Sequence, residues 1–155
     1  MFRDSIRDSV LIRRVLYFLS IGLFLVAIIQ PTYCTDGVGC STSFSGLAIL
    51  FSGAFGFFAS ASSCTWLANP ILFYSWYKRN TDHKASLIAS IISTVLACSF
   101  LFFKKVIVNE GGEENDITVY QLGYWLWLAS STSMLTGNLV IWFHERKSNY
   151  LRVER

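Results

Sequence analysis

Cys34 and Cys40 close the ends of a short segment, Cys34-Thr35-Asp36-Gly37-Val38-Gly39-Cys40. Its two glycines offer the backbone freedom that brings one sulfur onto the other. The chemistry available is oxidation to a disulfide, in a compartment that permits it, with free thiols as the alternative. No metal site is expected there, because two thiols without a histidine fall short of a ligand set. His83 and His144 stand singly beside basic residues. The acidic run from Asn109 to Asp116 lacks the alternating ligand order of a calcium loop and reads as a solvated loop. No glycine-rich phosphate loop, nucleophile elbow or HExxH is present. Neither a catalytic residue, a metal nor a cofactor is expected, and hence no enzyme.

Amides and hydroxyls carry the remaining polar chemistry. Asn69 and Asn138 lie in otherwise apolar surroundings, where an amide needs a partner, and they are expected to bridge helices or to meet each other. Small residues recur every four positions: Ala48, Ser52, Gly56, Ser60, Cys64 and Ala68; Ser86, Ser90, Thr94 and Cys98 beside Ala85, Ala89, Ser93 and Ala97; and Ala129, Ser133 and Gly137. Lipid competes fully with leucine for apolar contact, so membrane helices associate through close backbone approach and hydrogen bonds. The stripe residues Ser52, Gly56, Ser60, Ser90, Thr94, Ser133 and Gly137 are therefore read as helix packing, with a Ser/Thr-lined solute path as the alternative. Cys64 and Cys98 read as packing groups.

These residues sit in four apolar stretches, Val15–Ile29, Phe44–Tyr77, Ala85–Phe103 and Ile117–Phe143, which contain none of the 13 Lys and Arg or 10 Asp and Glu. The 53% apolar composition is too high for an ordinary soluble domain, and no charged face recurs at helical spacing. Crossing about 30 Å of hydrocarbon takes roughly 20 apolar residues. The first stretch reaches that length if Val10-Leu11-Ile12 joins it and Arg13 and Arg14 snorkel to the headgroups. It offers no small-x-small cleavage site and reads as an uncleaved helix. Of the 13 basic residues only Lys104 and Lys105 fall outside alternate connecting segments, so both termini and the middle connection are expected in the cytoplasm.

The expected fold is an all-α membrane protein in one domain, 1–155: a four-transmembrane-helix bundle, N-in and C-in. Its helices cover about 11–30, 44–67, 85–103 and 119–143. At about 1.5 Å per residue Phe44–Tyr77 would make a helix of roughly 50 Å, too long for one crossing. The Asn69-Pro70 pair supplies a break at the cytoplasmic end of the second helix. Segment 71–77 is then expected at the interface, or as the end of a kinked helix. Segment 1–14, with Phe2, Ile6 and Val10 on one stripe, is expected to lie on the cytoplasmic surface or to be a frayed tail. The first helix, poor in small residues, is expected to face lipid.

The sequence resembles no family closely enough to assign one. The larger loop motifs of claudin-like and tetraspanin proteins are absent, as is the first-helix carboxylate of small multidrug exporters. Coupled transport usually needs a charge at depth, and none is seen. The expectation is a non-enzymatic accessory or interaction protein of a membrane complex, immunity and exclusion factors included, in a bacterial inner membrane. Its expected partners are the lipid bilayer and a second copy or another membrane protein, without nucleic acid. A small permease or channel is the alternative.

Overall fold

The computed structural model describes residues 2–36, 40, 45–56, 58, 60–107 and 112–153, with side chains of the terminal helices described from Val10 and as far as Lys147. Among these residues the chain runs α1 (Phe2–Ile29), β1 (Tyr33–Thr35), α2 (Gly46–Gly56), a 3-10 turn (Ser63–Leu67), α3 (Ala68–Lys78), α4 (His83–Ser99), a second 3-10 turn (Phe100–Phe102), β2 (Lys105–Ile107), β3 (Glu114–Tyr120) and α5 (Leu122–Val153). Gly37, Gly39, Val108 to Gly111 and the side chains of Phe2 and Ile6 lie outside the described residues.

Two of these helices, over Val10–Ile29 and His83–Phe102, are long and apolar enough to cross a membrane. The other two expected spans differ from a simple crossing, for separate reasons. The second stretch is not one helix over 44–67. It breaks between Gly56 and Ser63, where Ser60 Oγ accepts the Ser63 N–H at 3.1 Å and bonds the hydroxyls of Ser62 and Ser63 at 2.9 and 2.8 Å. Serine hydroxyls that bond nearby backbone compete with the helical ladder. Asn69-Pro70 makes no break, because Pro70 stands in the first turn of α3, where its missing N–H is not needed. The fourth run loses its start to a strand and is interrupted by Ser130 to Ser133 and Asn138.

Nor is the fold all-α. The two connections at one end form a three-stranded antiparallel sheet ordered β1-β3-β2, with Tyr33 opposite Tyr120 and Val106 opposite Asn115. The β-branched and aromatic run Ile117-Thr118-Val119-Tyr120 suits a strand, and it displaces the start of the last helix from the expected 119 to Leu122. The run that reads as a solvated loop ends inside the sheet: Glu114, Asn115 and Asp116 begin β3 and pair with Lys105–Ile107.

One further expectation is corrected. Residues 2–14 do not form a separate segment but the first turns of the continuous α1. Segment 71–77 is the body of α3, with Leu72 and Ser75 fully buried and Phe73, Tyr74 and Tyr77 exposed. Most of the apolar length of α1 is exposed, and its remaining face packs along α5. Phe18, Leu19 and Leu25 face outward, but Phe24 is buried with Leu72 and Met134 and meets Phe73 and Trp76 edge to face. A second apolar cluster, Phe100, Val106 and Tyr124, sits beneath the sheet.

Candidate functional site

Cys34 and Cys40 are joined in a disulfide with their Cα atoms 4.8 Å apart. Cys34 is buried, and Gln121 Nε2 donates to its sulfur at 2.7 Å. The bond thus ties the β1 connection to the start of α5. Beneath it the phenols of Tyr33 and Tyr120 are both raised by burial, Tyr33 to about 12. Tyr120 donates to the carbonyls of Phe100 and Phe103 at 3.2 Å.

The interior between helices is polar in an orderly way. Ser75 on α3 and Ser86 on α4 exchange bonds: Ser75 Oγ donates to the Ser86 carbonyl at 2.8 Å and Ser86 Oγ to the Ser75 carbonyl at 2.9 Å. Ser130 on α5 donates to the Ser20 carbonyl at 2.7 Å, and Trp76 Nε1 donates to Ser20 Oγ at 3.0 Å. Ser93 on α4 donates to the Ala68 carbonyl at 2.9 Å. All of these serines are fully shielded: Ser20, Ser75, Ser86, Ser93 and Ser130 each show 0% exposure. A buried hydroxyl without a partner is costly, so each such pair fixes which helix faces which.

Asn138 on α5 is the hub. Its Nδ2 lies 3.1 Å from the Ser86 carbonyl, Ser86 Oγ and Ser90 Oγ, and its Oδ1 accepts from Arg13 at 3.4 Å. Asn69 does not meet it. Asn69 Nδ2 donates to the Trp66 carbonyl at 3.0 Å, and its Oδ1 accepts from Trp127 Nε1 at 2.8 Å, in a separate bridge between α3 and α5.

The stripe residues divide. Ser90 accepts from Asn138, whereas Thr94 and Ser133 bond carbonyls one turn back on their own helices. Gly137 lets α1 close on α5: a Cβ there would stand 3.3 Å from Leu16 Cβ. Ser52 is exposed, Ser60 belongs to the break, and a Cβ on Gly56 would meet nothing within 4 Å. Close approach on α2 is made by Gly53 instead, against the Trp66 indole. On α4 the two rows lie side by side on the packed face: Ser86, Ser90 and Thr94 of one and Ala89, Ser93 and Ala97 of the other are all buried. The helix-joining serines that the rows do not hold are Ser20, Ser75 and Ser130.

Arg13 lies at the basic end of α1. Half-buried, it donates to His83 Nδ1 at 2.9 Å, to the Arg79 carbonyl and to Asn138. Arginine only donates, so His83 accepts at Nδ1 and carries its proton on Nε2. The Arg79 guanidinium stacks 3.6 Å over the Tyr17 ring. One charge therefore does reach the helix interior at the basic end, where the sequence showed none.

Two cavities flank the polar core. The larger, about 680 Å³, opens beside α2 and the sheet and is lined mainly by apolar residues, among them Phe24, Leu50, Trp66, Phe100 and Trp127. The smaller, about 250 Å³, lies at the basic end between α1, α4 and α5. Among the described residues no three His, Cys, Asp or Glu side chains gather closely enough to hold a metal ion.

No protein-family model, curated protein or solved structure matches the chain.

Proposed function

We propose that the chain is a small multi-pass integral membrane protein that works without catalysis, by packing against a second copy or another membrane protein in a bacterial inner membrane. In this reading α1, α3, α4 and α5 are four crossings, with both termini and the α3–α4 connection in the cytoplasm. The 3-10 turn and α3 follow one another without interruption over 63–78. Together they reach roughly 26 Å at about 2.0 and 1.5 Å rise per residue, close to the hydrocarbon thickness. Ser130, Ser131 and Asn138 of α5 turn inward, leaving Leu122, Trp125 and Phe143 toward lipid.

One observation carries the reading: the interior hydroxyls and amides are spent on one another. Ser75 and Ser86 close a reciprocal pair and Asn138 takes up Ser86 and Ser90, so these groups support packing rather than a wet path. Outward, Val15, Phe18, Leu25, Ile88 and Val95 offer apolar surface to lipid or a neighbouring helix.

Crosslinking of the full chain in native membranes, followed by extraction in mild detergent, tests the proposal. A defined dimer or a single stoichiometric partner is expected; a monomer without crosslinked partner overturns it. The permease reading draws on the 680 Å³ cavity, which Ser52, Ser62 and Thr65 help to line. Solute flux in reconstituted vesicles, abolished by substitution of Ser90 or Ser133, would establish that reading in its place.

A further inference from the structure

We infer that the cavity at the basic end is a binding site for a phosphate group, carried by an anionic phospholipid headgroup or free in solution. The lipid source rests on the membrane reading above; the phosphate site does not.

Its wall is cationic on three elements. Arg13 comes from α1, His83 and Lys84 from the first turn of α4, and Asn138, Ile141, Trp142, Glu145 and Arg146 from α5. Three permanent cations face one carboxylate, Glu145. Arg13 is the critical member. Its hydrogen bonds run to neutral acceptors, a carbonyl, an amide oxygen and an imidazole nitrogen. Its Nε is buried and bonded to nothing. A half-buried guanidinium bonded to neutral groups, with Arg79 beside it and Glu145 the one opposing carboxylate among the described residues of the cavity, is short of counter-charge. Arginine's planar fork suits the oxygens of a phosphate, and a phosphate here would supply that charge.

The remaining groups are arranged to assist. Because Arg13 holds His83 as an acceptor at Nδ1, the imidazole keeps an N–H donor on Nε2. Arg146 lies 4.3 Å over the Trp142 ring, which holds a second guanidinium beside the cavity. Lys84 is exposed and free to swing over the opening. Ile141 and Trp142 add an apolar wall at the level where α5 passes from apolar to charged sequence, the depth at which a headgroup meets its glycerol. A volume of about 250 Å³ accepts a phosphate with part of a headgroup and excludes acyl chains.

The test uses the full chain purified in a neutral detergent and compared by thermal stability and native mass spectrometry in three conditions: nanodiscs of phosphatidylcholine, nanodiscs containing phosphatidylglycerol, and detergent with inorganic phosphate. Retention of phosphatidylglycerol over phosphatidylcholine is expected, weakening roughly fivefold for each basic residue removed. Lys84→Gln and Arg146→Gln are the primary variants, since both side chains are exposed and their loss leaves the helix contacts intact. Arg13→Gln should abolish retention, with its circular dichroism spectrum checking the fold. Protection by inorganic phosphate that the same variants remove, without preference among lipids, supports the site and assigns it to free phosphate. No preference in any condition, or a preference the three variants leave unchanged, overturns the inference. An alkaline membrane wash separates this from failure of the membrane reading: release of the chain without detergent overturns that reading, while the inorganic phosphate condition still tests the cavity.

Discussion

Helices α2 and α4 make opposite use of their residues. The sequence of α2, Gly-Leu-Ala-Ile-Leu-Phe-Ser-Gly-Ala-Phe-Gly, is apolar nearly throughout, yet not one of its residues is buried and Phe55 is 89% exposed. By contrast α4 carries serines and a threonine through its middle and buries six small residues against α3 and α5. Hydropathy marks where a helix can reside; it does not mark where it packs. In lipid the apolar side chain gains little by leaving its surroundings, whereas the small hydroxyl allows backbones to approach and then bonds the neighbour. The more polar helix is therefore the structural centre, and the greasier one lies at the margin.

The sharpest way to break this contrast is to make α4 resemble α2. Ser86→Leu inserts a large side chain at a site with no exposure and removes the hydroxyl that bonds the Ser75 carbonyl and Asn138. A loss of about 3 kcal/mol is expected in detergent unfolding. A value near zero would mean that the α3–α4 interface is not the core. Asn138→Ala removes the amide hub while leaving a small residue in place. Hydrogen bonds between membrane helices are weak individually, so a loss of about 1–2 kcal/mol is expected, against little change for Thr136→Ala on the exposed side. Within α2 the comparison can be run at two glycines. Gly53→Ala forces the Trp66 indole aside and should cost about 1 kcal/mol, while Gly56→Ala, in open space, should shift stability by less than about 0.5 kcal/mol. Equal effects would place α2 in a tighter environment than its contacts describe.

The smallest effect expected belongs to the sheet end and appears only in alkali. Tyr33 is raised to about 12 by burial from an ordinary value near 10. The folded state keeps the phenol proton that the unfolded chain releases, so this contribution is whole below about pH 10 and is lost as pH rises toward 12. Thermal unfolding followed from pH 9 to 11.5 should fall less steeply in Tyr33→Phe than in the parent chain. Identical slopes would mean that Tyr33 is solvated.

What was legible in the sequence follows the same division. The apolar runs of α1 and α4 are read directly, since charges bound them and nothing within them competes with helix. The Cys34–Cys40 bond is legible from spacing and glycines. The break in the second stretch was not, because proline is a conspicuous signal and a run of serines is a quiet one; Pro70 is harmless in a first turn, and Ser60 redirects the backbone by local bonds. The short strands were hidden because β1 and β2 hold three residues each and gain their order from β3, far along the chain. The partners of Arg13, namely Asn138, His83 and the Arg79 carbonyl, lie 66 to 125 residues along the chain, where spacing gives no sign of them.

The pairing of α1 with α5, and of β1 with β3, also orders the protein's manufacture. Synthesis delivers α1 first and its principal partner last, so the Ser20 carbonyl has no Ser130 hydroxyl to accept from until the last helix emerges. The α3–α4 hairpin, joined by a four-residue connection and the Ser75–Ser86 exchange, can assemble while synthesis continues. The clasp between the ends of the chain then closes as the final event, and a nascent chain stopped before β3 would remain an open hairpin beside a solitary helix.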